Sequence, residues 1–230
     1  MFLFGMGSIP PPPSSHGQYV WVKSKEGGFW RMKRGSYRPA ALNKALQHNS
    51  DATKICSPAA SRIVRRLQPY LNRLQTGRLT VRICGKLRKA LKDKGGLSFT
   101  YLKGMDMQPD HPLEHLLKAW VHVEQDGQEL RVSIPVESYT VKRHNGIVTA
   151  YYFELILMWG DASRDKGLRV EEVDSPVYRI AEDYNTECRL SLVLPPAGQP
   201  WMALLKVSCI EGREMAMAPR MYGMKVVACG

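Results

Sequence analysis

The chain is poor in cysteine patterning. Its five cysteines, Cys56, Cys84, Cys188, Cys209 and Cys229, form an odd set with no C-x-x-C spacing. That argues against a disulfide framework and for a reducing compartment. Cys84, Cys188 and Cys209 lie in apolar contexts and read as small buried hydrophobes. Long apolar runs are also missing: none reaches the roughly 18 residues a membrane-spanning helix needs. No membrane insertion is expected, and a cytoplasmic location is. Residues 1–10 are apolar but carry no basic residue and run into Pro10–Pro13. They are expected to form a tail rather than a signal peptide.

Signatures of catalysis are missing too. Gly85-Lys86 lacks the earlier glycine and the following Ser or Thr of a phosphate loop. There is no G-x-S-x-G elbow. The neighbouring carboxylates Glu171-Glu172 and Glu182-Asp183 diverge in direction along the chain and belong on solvated loops. No catalytic residue and no cofactor is expected, and the chain is read as a non-enzyme.

Acids are scarce in one half only. Residues 1–104 hold 20 Lys+Arg against Glu26, Asp51 and Asp93, a net of +17. Residues 105–230 hold 13 Lys+Arg against 18 acids, a net of −5, which leaves +12 for the chain. A charge so far from zero and so unevenly placed suits an anionic partner, or docking of the basic half on the acidic one.

What is present divides into four stretches. Residues 1–17 are an apolar and proline-rich tail, with Pro10–Pro13 a polyproline-like spacer. Residues 18–96 form a basic module. It opens with two aromatic-rich runs around Lys25-Glu-Gly-Gly28, a β-hairpin signal. Helices follow. Ser57-Pro58 suits a helix start, since Ser caps and Pro fits the first turn. Ile63, Leu67, Tyr70, Leu71 and Leu74 recur at helical spacing, with Pro69 a kink or break. Leu79, Ile83, Leu87 and Leu91 predict a second helix, ended by Gly95-Gly96.

Residues 97–114 are a linker. Residues 115–230 are expected to be an antiparallel β-sandwich of seven or eight short strands. Asp126-Gly127 and Asn145-Gly146 mark tight hairpin turns within it. Glu187–Leu194 and Trp201–Ile210 are expected to pair around Pro195–Pro200. The fold class is therefore α+β: a basic hairpin plus helices, then a sandwich.

Three functional readings follow. The preferred one is a non-enzymatic structural or assembly protein that binds a protein partner or itself. The second is nucleic-acid or other polyanion binding by Trp30, Arg31, Lys33, Arg34, Arg62, Arg65, Arg66, Arg73, Arg78, Arg82, Lys86 and Lys89. Cations there release counterions from phosphates, and aromatics stack on bases. The third is a metal-dependent hydrolase at His111-Pro-Leu-Glu-His115, which fits H-x-x-E-H with His111, Glu114 and His115 as metal and base residues. Pro112 weakens it, because a helix beginning there leaves His111 outside the regular face. A capped helical turn is the competing account.

The order of parts resembles a set of uncharacterised Bacteroidetes proteins. The resemblance rests on Lys25–Gly35, on the segment from Asn49-Ser-Asp to Leu74, and on Ala203-Leu-Leu-Lys-Val-Ser208. It implies a basic N-terminal region before a β domain, and no activity or site residues. The proline tract and apolar start depart from that pattern.

Overall fold

A computed structural model describes residues 19–24, 27–32, 44–137, 139–142, 148–182 and 184–230. The chain divides into two compact units, Met1–His48 and Asn49–Gly230. In the first, β1 (Tyr19–Ser24) and β2 (Gly27–Met32) pair antiparallel, with Trp21 opposite Trp30. The two indoles meet edge to face at 5.3 Å, a favoured aromatic geometry. Gly28 makes room for them: a Cβ there would lie 2.2 Å from the Trp21 ring.

Helix α1 (Lys44–Leu67) runs straight through Pro58 instead of starting there. Proline removes one amide donor, the partner of the Lys54 carbonyl. The buried stripe Cys56, Ala59, Ala60, Ile63 and Leu67 continues across that point, and its burial outweighs one absent bond. The helix stops two residues before Pro69, which disfavours helical backbone at the residue preceding it. Helix α2 (Leu79–Lys94) buries Leu79, Ile83, Leu87 and Ala90. Gly95 ends it at φ +71°, donating its amide to the Leu91 carbonyl at 3.0 Å.

A 3-10 turn over Phe99–Leu102 and the short helix α3 (Leu113–Leu116) lead into the strands. These are β3 (His122–Asp126), β4 (Glu129–Val136), β5 (Val148–Gly160), β6 (Leu168–Asp174), β7 (Tyr178–Arg179), β8 (Thr186–Val193), β9 (Trp201–Glu211), β10 (Glu214–Met215) and β11 (Tyr222–Cys229). Strands β3-β4-β8 make a small sheet. Strands β10-β9-β5-β6 make a larger one, joined by β11 on β9 and β7 on β5. Every strand pairing among the described residues is antiparallel, and with the helices this makes the fold mixed α+β.

The expected pairing of the strands around Pro195–Pro200 does not form. Strand β8 pairs with β4, and β9 pairs with β5. Their burial explains the split. Strand β8 is exposed at alternate positions, whereas β9 is buried over nine consecutive residues and needs cover on both faces. Asp126-Gly127 closes the β3–β4 hairpin, with Gly127 at φ +59°. Asn145-Gly146 lies outside the described residues.

On one face of the large sheet, Phe153, Leu155, Leu157, Leu205 and Val207 share a core with Leu130, Val132 and Ile134 of the small sheet. On the other, Ile156, Met158, Met202, Leu204, Met224 and Val226 pack with Ile63, Leu67, Ile83 and Leu87 of the helices. The helices thus belong to the core of the sheet. Residues 104–107 cover the outer edge of β11: the Val226 amide donates to Met105 at 3.0 Å and the Met107 amide to Met224 at 2.8 Å. Among the described residues no helix is long and apolar enough to cross a membrane.

Pro58 is exposed, and it is the one break in the α1 bonding pattern that composition imposes. Pro58→Ala restores a donor and is expected to stabilise the protein by about 1–3 kcal/mol, read as a rise in thermal midpoint.

Candidate functional site

The pattern of β5 and β9 contains two charges that no apolar strand would carry without a partner. Glu154 interrupts Tyr151-Tyr-Phe-Glu-Leu-Ile-Leu157, and Lys206 interrupts Ala203-Leu-Leu-Lys-Val207. They are directly opposite in the β5–β9 register. Lys206 Nζ lies 2.7 Å from Glu154 Oε2, and their side chains keep only 9% and 12% of their exposure. Ser208 donates to the same carboxylate oxygen at 2.8 Å. Tyr152, opposite Ser208, hydrogen-bonds it.

Asp174 stands opposite Glu154 on β6. Burial first, then the charges of Glu154 and Glu172, holds its carboxyl above the usual aspartate value. Tyr70, in the connection between α1 and α2, hydrogen-bonds Glu172; burial and that bond raise its phenol. The polar residues thus gather on the helix-facing side of the large sheet, at the end where the α1–α2 connection lies over it.

Ser208 and Glu154 meet the distance test for a nucleophile and base. Ser208 is fully buried, however, and Glu154 is neutralised by Lys206. The trio therefore acts as a strut between β5 and β9. Sequence reasoning passed over these residues, although a charge inside each of two strands rich in apolar residues was a readable signal.

The twelve residues expected to bind a polyanion separate into groups. Trp30 and Arg31 lie on β2 in the first unit, and Arg31 is exposed. Lys33 and Arg34 lie outside the described residues. Three of the others are spent on the fold. Arg62 reaches Asp165 at 3.2 Å and the Ala162 carbonyl at 3.3 Å. Arg73 donates through Nη1 to the carbonyls of Met215 at 2.7 Å and Ala216 at 2.9 Å, and to the Tyr222 hydroxyl at 3.2 Å.

Arg82 donates to the carbonyls of Asp106 at 2.8 Å and Met107 at 2.6 Å, which anchors α2 to the segment that caps β11. Burial lowers its guanidinium pKa, opposed by Asp106 and Asp110. Arg65 is 3.8 Å from Asp165 on the surface, and Lys89 sits 5.5 Å over the Tyr101 ring. Arg66, Arg78 and Lys86 are exposed, and their side chains make no ion pair or hydrogen bond among the described residues.

In the H-x-x-E-H stretch, Pro112 caps α3, so His111 precedes the helix and His115 lies in its last turn. The Leu113 amide donates to Asp106 Oδ1 at 2.9 Å. Glu114 is bound by Lys225. Both imidazoles nevertheless border one cavity of about 440 Å3. Among the described residues no three His, Cys, Asp or Glu side chains are grouped to hold a metal.

No family model, curated protein or solved structure matches the chain. The resemblance to Bacteroidetes proteins therefore assigns it to no family.

Lys206→Met leaves the Glu154 charge buried without its partner and is expected to cost about 3–5 kcal/mol. Adding Glu154→Leu removes the orphaned charge, so the double variant is expected to recover most of that stability. Urea unfolding of the two variants checks both values.

Proposed function

We propose that the protein is a non-enzymatic binding protein that takes up a polyanion, nucleic acid by preference, on the outer face of its two helices. The carrying observation is how charge is left over once the helices have packed. Residues 49–96 hold twelve Lys+Arg and only Asp51 and Asp93 as acids. The apolar stripes of α1 and α2 face the sheet, which leaves the cations to the solvent side. Arg62, Arg73 and Arg82 are committed to internal acceptors. Arg66, Arg78, Lys86 and Lys92 are exposed and make no side-chain ion pair among the described residues. Such a surface attracts phosphates and releases their counterions. The body that carries it is read as a β-sandwich, supported by the apolar core common to both sheets.

The test is binding of labelled single-stranded and duplex oligonucleotides across a salt series. Affinity is expected to fall steeply with salt. Charge reversal of Arg66, Lys86 and Lys92 to Glu is expected to weaken binding to all sequences. It should also reduce the salt slope by about 1 for each phosphate that is no longer neutralised. A flat response to salt would sink the reading.

A second reading, self-association, is favoured by one observation. Trp120 is 89% exposed. It borders an apolar groove of about 300 Å3 formed with Leu117, Ala119, Val121 and Val123. Exposed indoles of this kind anchor interfaces. Sedimentation over a concentration series is expected to show reversible dimers that Trp120→Ser abolishes; a monomer at every concentration would rule it out.

A further inference from the structure

The cavity bordered by the two imidazoles is built by three separate parts of the chain. Leu117 and Val141 form an isolated antiparallel bridge. Its bonds run from the Lys118 amide to Thr140 at 2.8 Å and from the Lys142 amide to Leu116 at 2.9 Å. Leu117 and Val141 turn inward and are buried. Side chains alternate about a bridge, so the neighbouring Lys118 and Lys142 project together to the other side. Helix α3 contributes His115, and His111 precedes it.

The third part is the start of β11 with the turn before it. A Cβ on Gly223 would lie 3.0 Å from Leu113 Cδ1 and 3.1 Å from Leu113 Cα. The glycine therefore lets β11 approach α3 closely, which places Arg220 and Tyr222 beside the histidines.

The resulting cavity of about 440 Å3 is lined by His111, His115, Lys118, Lys142, Arg220 and Tyr222, with no carboxylate among its lining residues. The nearest acid on α3, Glu114, is bound by Lys225 and borders the neighbouring groove instead. Lys118 Nζ donates to the Glu114 backbone carbonyl at 3.1 Å and makes no ion pair among the described residues. Behind the Tyr222 wall stands Arg73, whose other acceptors are backbone carbonyls. Three permanent cations thus share one cavity, backed by a fourth, with no carboxylate of the described residues lining it. Like charges held this close repel one another, and a bound anion relieves that repulsion.

We propose that this cavity binds a phosphate group, carried by a small phosphomonoester. The guanidinium of Arg220 and the two ammonium groups supply charge-assisted donors to its oxygens. The imidazoles add directional donors. The volume is in the range of small-molecule sites and exceeds what the bare ion needs. The site is separate from the outer face of α1 and α2 and does not depend on the nucleic-acid reading.

Calorimetric titration of the full chain with inorganic phosphate and with a nucleoside monophosphate tests it. Saturable binding of both is expected, tighter for the monophosphate; equal affinity would identify the free ion as the ligand and overturn the phosphomonoester assignment. The double variant K142Q/R220Q alters two exposed side chains and is expected to weaken binding at least about tenfold. The Arg66, Lys86 and Lys92 charge reversals are expected to leave it unchanged. In parallel, the His115 ring resonances of the unaltered protein should shift and saturate with phosphate, a readout that does not depend on the folding of any variant. The site is refuted by no saturable heat or shift at millimolar phosphate, by unchanged affinity in K142Q/R220Q, or by loss of binding in the α1–α2 variant instead.

Discussion

Strands β5 and β9 are the constraint on which the rest depends. Both are apolar on two faces, and neither face can be left to water. Burial of a large apolar side chain is worth roughly 1.5–3 kcal/mol, and these two strands contribute more than a dozen buried residues. Satisfying them takes a cover on each side. The small sheet supplies one and the helix pair the other. A lone hairpin or an isolated helix pair would be marginal in water. Packed on a common sheet, each completes the burial of the others.

That arrangement also explains how charge is distributed. The helices have one face committed to the sheet, so their many cations are displaced to the opposite face or drawn inward as ties. The ties are specific. Arg62 joins α1 to the loop after β5, Arg82 joins α2 to residues 106–107, and Arg73 joins the inter-helix connection to the turn before β11. Each ends on carbonyl acceptors or on an exposed acid. The basic character of residues 49–96 is thus partly an internal device, and only the remainder faces outward. The buried Lys206–Glu154 pair sits just beyond the apolar packing with the helices, where the sheet can accept polar groups because they pair with one another.

Much of the local structure was legible in the sequence. The four-residue spacing of Leu79, Ile83 and Leu87 gave the buried stripe of α2, Gly95 gave its end, and Asp126-Gly127 gave a hairpin turn. Three things were not legible. The start of α1 was hidden by Pro58, because a local breaker is read before the tertiary burial that overrides it is known. The partners of β8 and β9 were hidden because short connections suggest pairing, while only the total cover each strand needs decides which sheet it joins. The candidate phosphate cavity was half visible. His111 and His115 stood out as a motif, but Lys142 and Arg220 come from distant segments that only the fold brings beside them.

Strand β11 follows every other element in chain order, yet it borders residues 104–107 and α3, and the turn before it receives Arg73. Arg73 itself holds a left-handed backbone at φ +69°, a conformation an arginine keeps only while something else holds it. The tie joins residues 142 and 143 positions apart along the chain. Pairings of that span form late and slowly, because long loops must close before they are rewarded. The helices sit on residues of β5 and β9 and also on Met224 and Val226 of this last strand. The helix-facing core and the ties to residues 104–107 are therefore complete only when the last of these strands in chain order is in place.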